Sequence, residues 1–186
     1  AERLISIPNP TTLRGSRDRA LLAVLIGCGL RRREAATLSV EHIQLRDARW
    51  VIVDLIGKGG RVRTVPMPSW TKHAIDAWMV GSGISSGLVF RSMDKAGRVI
   101  GKSMTARTIF EIVHGVGARI GVPKLAPHDL RRTFAKLAHK GKAALEQIQL
   151  SLGHASVTTT ERYLGIRQDL TDTPCDHLGL TVAVSR

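Results

Sequence analysis

PHDLRRTFAKLAHKG (residues 127–141) and, one helix later, LGHASVTTTERYL (152–164) decide how this chain reads. Pro127 suits the first turn of a helix, where its missing N–H leaves nothing unpaired, and Gly141 stops that helix. His128 and Arg131 are three apart on it, so they project from one face and can grip the same group. A guanidinium presents a fork of donors matched to phosphate oxygens, and an imidazole moves a proton near neutral pH. Ala143 to Leu152 reads as the next helix, ending at Gly153. His154 then falls in the following loop, and Tyr163, the only tyrosine of the chain, comes after a Ser/Thr-rich run. Taken alone, HDLRR is equally a basic, solvated helix start and Tyr163 an ordinary packed tyrosine. Their conjunction points to a phosphate site with a phenol as nucleophile.

Upstream, residues 1–15 hold Pro8 and Pro10 and read as an extended lead-in. Ser16 is placed to cap a helix whose buried part is Leu21 to Ile26 and whose end is marked by Gly27, Gly29 and Leu30. A short helix from Arg31 or Arg32 to Leu38 follows, which puts Arg31 at a helix junction. WVIVDLI and RVRTVPM, separated by GKGG, form a hairpin with Lys58 at its turn. That lysine suits either a general acid on a mobile hairpin or a nonspecific phosphate contact. The glycines do not make a nucleotide-binding loop, because GxxxxGK[ST] is absent. Ser69 to Val80 is helical, LVF and RVI add two short strands, and Ser103 or Thr105 opens a helix through Ile120. The fold class is therefore mainly α (α+β): a helical domain with a small antiparallel sheet or hairpin on one edge.

The chain has 186 residues, with 28 Lys and Arg against 15 Asp and Glu, a net charge of +13. Such an excess calls for a polyanionic partner, nucleic acid before an acidic membrane surface. Cys28 and Cys175 lie far apart and make no metal-type spacing, and no Asp, Glu, His or Cys cluster suggests a metal site. No apolar run approaches the roughly 20 residues of a membrane span, and AERLISIPNP lacks the regions of a signal peptide. The expectation is a reduced, cytoplasmic protein, not in a membrane, with nucleic acid as its partner.

In order, GLRRREAATL, GKGGRVRTVPM, HDLRRTFA and LGHASVTTTERY resemble the signature of the tyrosine recombinase (phage integrase) family: GLRxxEL, a β-hairpin lysine, HxxR, LGH and a terminal tyrosine. The resemblance covers the chain from about Ser16 to Leu164. It implies that Arg31 is the first catalytic arginine, Lys58 the hairpin lysine, His128 and Arg131 the second motif, His154 the LGH histidine and Tyr163 the nucleophile. Arg32, Arg33 and Arg132 fill no catalytic slot, and Ala35 stands where leucine is common. The resemblance also implies attack of Tyr163 on a phosphodiester to give a 3′-phosphotyrosyl link and a free 5′-hydroxyl. The energy of the broken bond is retained, so neither ATP, a metal nor another cofactor is required. It further implies four protomers acting on two DNA sites, with accessory proteins setting direction.

Most members of this family place a helical DNA-binding domain before the catalytic one. Residues 1–186 are accordingly read as a single catalytic domain, excised or naturally short. Within it, 1–15 is a lead-in from a missing core-binding domain, 16–164 the core and 165–186 a tail. TVAV in that tail is expected to pair with a sheet edge, in its own protomer or a neighbour's, or merely to cover its own core. Two rival functions use the same residues: a type IB topoisomerase-like relaxing enzyme and a catalytically silent DNA-binding regulator. The hairpin and LGH motif favour the recombinase over the first. The completeness of the six motif positions argues against the second.

Overall fold

The computed structural model describes residues 1–57 and 60–165. Lys58 at the hairpin tip and the TVAV segment lie outside the described residues. The elements are α1 (Glu2–Ser6), α2 (Leu13–Gly27), α3 (Arg32–Ala36), a 3₁₀ turn (Val40–His42), β1 (Ile43–Arg46), β2 (Arg49–Ile56), β3 (Val62–Pro66) and α4 (Ser69–Ser82). After them come β4 (Ser92–Met93), β5 (Val99–Ile100), α5 (Ala106–Arg119), α6 (Pro127–Lys140), α7 (Leu145–Leu152) and α8 (Val157–Leu164). This is the expected mainly helical architecture, with a three-stranded antiparallel sheet β1-β2-β3 and a two-stranded β4-β5 ribbon.

Helix α2 is the hub. Every residue from Ala20 to Ile26 is buried, and it packs on α4, α6, α1, α3 and α5. Helix α4 adds Ile75 and Trp78, whose indole N–H donates to the Val89 carbonyl at 2.8 Å. A second, smaller cluster of Ala135, Ile148 and Leu152, with Phe134 and Tyr163 against it, joins α6, α7 and α8. That cluster seats the tyrosine.

Residues 1–15 depart from the extended lead-in. Residues 2–6 form α1 with Leu4 buried, and α2 begins at Leu13, not after Ser16. The prolines confine the break to the short link between the helices. There the Asn9 side chain accepts from the Thr11 N–H at 3.0 Å, and Thr12 caps α2 by accepting from the Gly15 N–H at 3.1 Å. A Cβ on Gly15 would lie 1.9 Å from the Asn9 carbonyl oxygen, so only glycine lets this link fold back on the helix.

Strand β1 was not foreseen. It joins β2 through Asp47 and Ala48, both with positive φ, a two-residue turn of the kind that matches strand twist. Without glycine, the sequence hides it. The LVF segment does not pair with RVI: the Val89 N–H donates to the Leu38 carbonyl at 2.9 Å, and the ribbon partner of Val99–Ile100 is Ser92–Met93. Apolar content drew the strand too early, because Val89 and Phe90 are buried as core filling.

Candidate active site

Four chain segments converge on one cluster of side chains. The first is the α2–α3 junction, where Gly29 (φ +61) turns the chain so that its carbonyl faces α6 and Arg31 becomes the N-cap residue of α3. A Cβ on Gly29 would lie 2.7 Å from the Phe134 ring, so the close approach requires glycine. The Arg31 backbone N–H donates to Glu34 Oε2 at 2.8 Å and its Nη1 donates to Oε1 at 2.7 Å. Arg31 keeps 31% of its side chain exposed, so its guanidinium is held from behind and open in front.

The second segment is α6. Pro127 begins it as expected, and the Ala126 N–H is capped by the Asp129 carboxylate at 3.0 Å. Arg131 is buried. One Nη donates to the Gly29 carbonyl at 2.6 Å and the other to the Leu152 carbonyl. Burial, reinforced by the Arg31 charge, lowers its pKa to about 10, which leaves it charged at neutral pH. One turn earlier on the same face, His128 lies on the solvent side.

The third is the end of α7. Gly153 caps it in the left-handed conformation and delivers His154, whose Nδ1 lies 3.0 Å from the Thr160 hydroxyl. Burial and the fields of Arg131 and Arg31 lower His154 to about 4, so the ring is neutral at pH 7.

The fourth is α8, capped by Ser156, which carries Tyr163. The phenol oxygen is 3.2 Å from His128 Nε2. The Tyr163 ring meets both His128 and His154 edge-on, at 5.4 and 5.3 Å between centroids. Burial raises the Tyr163 pKa while the Arg131 charge opposes the rise. Burial and then the Arg131 charge lower the pKa of His128, which favours the neutral ring beside the hydroxyl.

Arg31, His128, Arg131, His154 and Tyr163, scattered over more than 130 positions in sequence, are thus brought together. For Lys58 only the root of its hairpin is described: a Cβ on Gly57 would lie 3.5 Å from Arg31 Nη1. Three further residues belong to the site. Glu34 sits at the third position of α3, where a carboxylate that reaches back to the N-cap was legible as half a capping box. Arg63 on β3 pairs with Glu34 through both oxygens, at 2.9 Å each. Thr160 is fully buried under His154. The last two had no local signal, because their partners are distant in sequence or loop-linked.

Electrostatically, Arg31 and Arg63 meet on Glu34, held down at about 2 by its hydrogen bonds to Arg63 and Arg31 against the cost of burial, and Arg131 adds a third positive charge nearby. With both histidines neutral the cluster carries surplus positive charge in a partly desolvated setting, which an anion would relieve. A recess of about 390 Å³ lined by Arg31, Arg32, Arg33, Phe110, His128 and Arg131 opens beside it.

Fold and site together define a mainly helical domain with a cluster of guanidiniums and histidines gathered around a tyrosine. The phage integrase family model matches residues 1–169, and the chain belongs to that family. It is 33% identical over 169 residues to tyrosine recombinase XerC of Pelobacter propionicus, covering 91% of this chain and 54% of that protein. With tyrosine recombinase XerD of Vibrio cholerae it shares 34% identity, covering 87% of the chain and 53% of the relative. The chain therefore spans about half the length of the curated relatives it matches. The solved structure of XerA recombinase superposes with a TM-score of 0.71 at 25% identity, over 89% of this chain and 58% of that one. The pre-cleavage complex of XerH recombinase bound to difH gives 0.72 at 23% identity, over 91% and 48%, a likeness of fold.

Proposed function

We propose that this chain is the catalytic part of a site-specific tyrosine recombinase that cuts and rejoins double-stranded DNA through Tyr163. The observation that carries the reading is the 3.2 Å contact between the Tyr163 hydroxyl and His128 Nε2 beside the surplus guanidinium charge. The scissile phosphate occupies the anion position, with Arg31 and Arg131 on its non-bridging oxygens. These fixed donors stabilise the charge that builds in the pentacoordinate transition state, where losing one typically costs about 10²–10³ in rate.

Tyr163 attacks in line. The Tyr163 oxygen–phosphorus bond forms as the phosphorus–O5′ bond breaks, and His128 takes the phenolic proton. Lys58 donates a proton to the departing 5′ oxygen, a poor leaving group as an alkoxide. His154, neutral and oriented by Thr160, hydrogen-bonds a phosphate oxygen. Religation runs the same steps in reverse, with a 5′-hydroxyl displacing the tyrosine. Four protomers on two duplexes would carry out the exchange, with accessory proteins biasing its direction.

The test is a denaturing-gel assay for covalent protein–DNA adducts on nicked suicide duplexes from a randomised pool, in EDTA, with wild type beside Tyr163→Phe. An adduct from wild type alone is expected. DNA bound without any adduct would refute the strand-cleaving reading in favour of a silent binder. Relaxation of a supercoiled circle with no exchange between two sites would favour a topoisomerase-like enzyme.

A further inference from the structure

We propose that Arg63, on β3, is a positioning residue for the phosphate site: it braces Glu34 against the end of α7 and leaves the Arg31 charge free for the phosphate. The inference rests on the strand-cleaving reading for its kinetic consequence, though not for its geometry.

Arg63 reaches two other elements at once. Its two Nη atoms donate to Glu34 Oε1 and Oε2, each at 2.9 Å, and its Nε donates to the Ser151 carbonyl at 2.9 Å. Glu34 belongs to α3 and holds Arg31, while Ser151 lies in the last turn of α7, which delivers His154. One side chain therefore sets the spacing between the arginine arm and the histidine arm of the site. Glu34 accepts four donors, two from Arg31 and two from Arg63, which fills the acceptor capacity of a carboxylate.

The charge argument is independent of the geometric one. Arg31 and Glu34 alone form a neutral pair, and such a pair offers a phosphate little attraction. Arg63 makes the trio net positive, and by satisfying Glu34 it lessens the pull that would draw Arg31 backward. The fork is specific: a lysine ammonium is a point charge and cannot match both carboxylate oxygens while reaching a carbonyl from its stem. The surrounding chain is shaped to admit it. A Cβ on Gly153 would lie 2.9 Å from Arg63 Cδ, and one on Gly57 would lie 3.2 Å from Arg63 Nη1. Arg63 is 8% exposed, so it stands behind the site and does not itself touch the phosphate.

The experiment compares wild type, Arg63→Met and Arg63→Lys, at temperatures well below each melting point. Single-turnover adduct formation and affinity are measured on a duplex that wild type cleaves. The Glu34 carboxyl is titrated by ¹³C NMR without DNA. For Arg63→Met the adduct rate at saturating DNA should fall by about 100-fold, the scale of a misplaced catalytic group, with affinity nearly unchanged. Arg63→Lys should recover part of the rate, and it carries the test if the methionine variant does not fold. Glu34 should titrate above its wild-type position in both. Wild-type cleavage by Arg63→Met, or an unmoved Glu34 titration, overturns the proposal. If wild type itself forms no adduct, the strand-cleaving reading fails and the Glu34 titration alone decides the brace.

Discussion

His154 and Arg131 respond to the same desolvation and positive field in opposite ways: the imidazole gives up its proton and the guanidinium keeps its own. His154 is lowered from 6.5 to about 4, so as pH falls the unfolded chain takes up that proton before the folded one does. Its contribution to stability is complete above pH 6.5 and is lost as pH drops toward 4. His154→Asn should flatten this part of the melting temperature profile, measured by circular dichroism between pH 4 and 8; an unchanged slope would show the ring titrating normally. Besides the role proposed for it on the phosphate, Arg131 is a structural cation. Arg131→Met strips the donor from the Gly29 and Leu152 carbonyls, at about 1–3 kcal/mol for each buried acceptor left unpaired. Its loss should thus appear both in urea unfolding and in cleavage, whereas Tyr163→Phe should affect cleavage with little change in stability.

At the scale of elements, the site is set by how helices end. Gly153 ends α7 with φ +60 and lies against Arg63, so an alanine there meets both left-handed strain, about 1–2 kcal/mol, and a Cβ 2.9 Å from Cδ. Gly153→Ala should lower the melting temperature and slow adduct formation together, because the strain falls where His154 leaves the helix. A stability loss with wild-type cleavage would separate the cap from the site. These ends were the legible part of the sequence: Pro127, Gly141, Gly153 and the Thr105 cap mark boundaries that the fold keeps. What stayed hidden depends on nonlocal pairing or on turns without their usual residues. Asp47–Ala48 adopts a glycine-type turn, α1 folds back only because Gly15 admits the Asn9 backbone, and α8 forms through the Thr158–Thr160 run despite its weak helix propensity. Likewise the five chemical residues could be ordered by motif, while Arg63 and Thr160 emerge only once distant segments meet.

For the molecule as a whole, the +13 charge must act through place as well as amount. Arg32 and Arg33 are exposed on α3 and line the recess next to Arg31 and Arg131, with no carboxylate partner among the described residues. Under the proposed function, solvated cations beside the site are suited to the phosphates flanking the scissile one, where they would add affinity without entering the chemistry. Each phosphate neutralised releases condensed counterions, which makes log K fall against log salt with a slope near −0.9 per contact on duplex DNA. Arg32→Ala and Arg33→Ala should each make that slope shallower by about 1, in fluorescence anisotropy titrations between 50 and 200 mM salt, and weaken binding across all sequences alike. The effect belongs to affinity and not to the rate of the bound complex, which separates these residues from Arg31 and from Arg63 behind it. A slope identical to wild type in both variants would mean that the DNA runs elsewhere over the basic surface, and that Arg32 and Arg33 serve the solvated face of α3 alone.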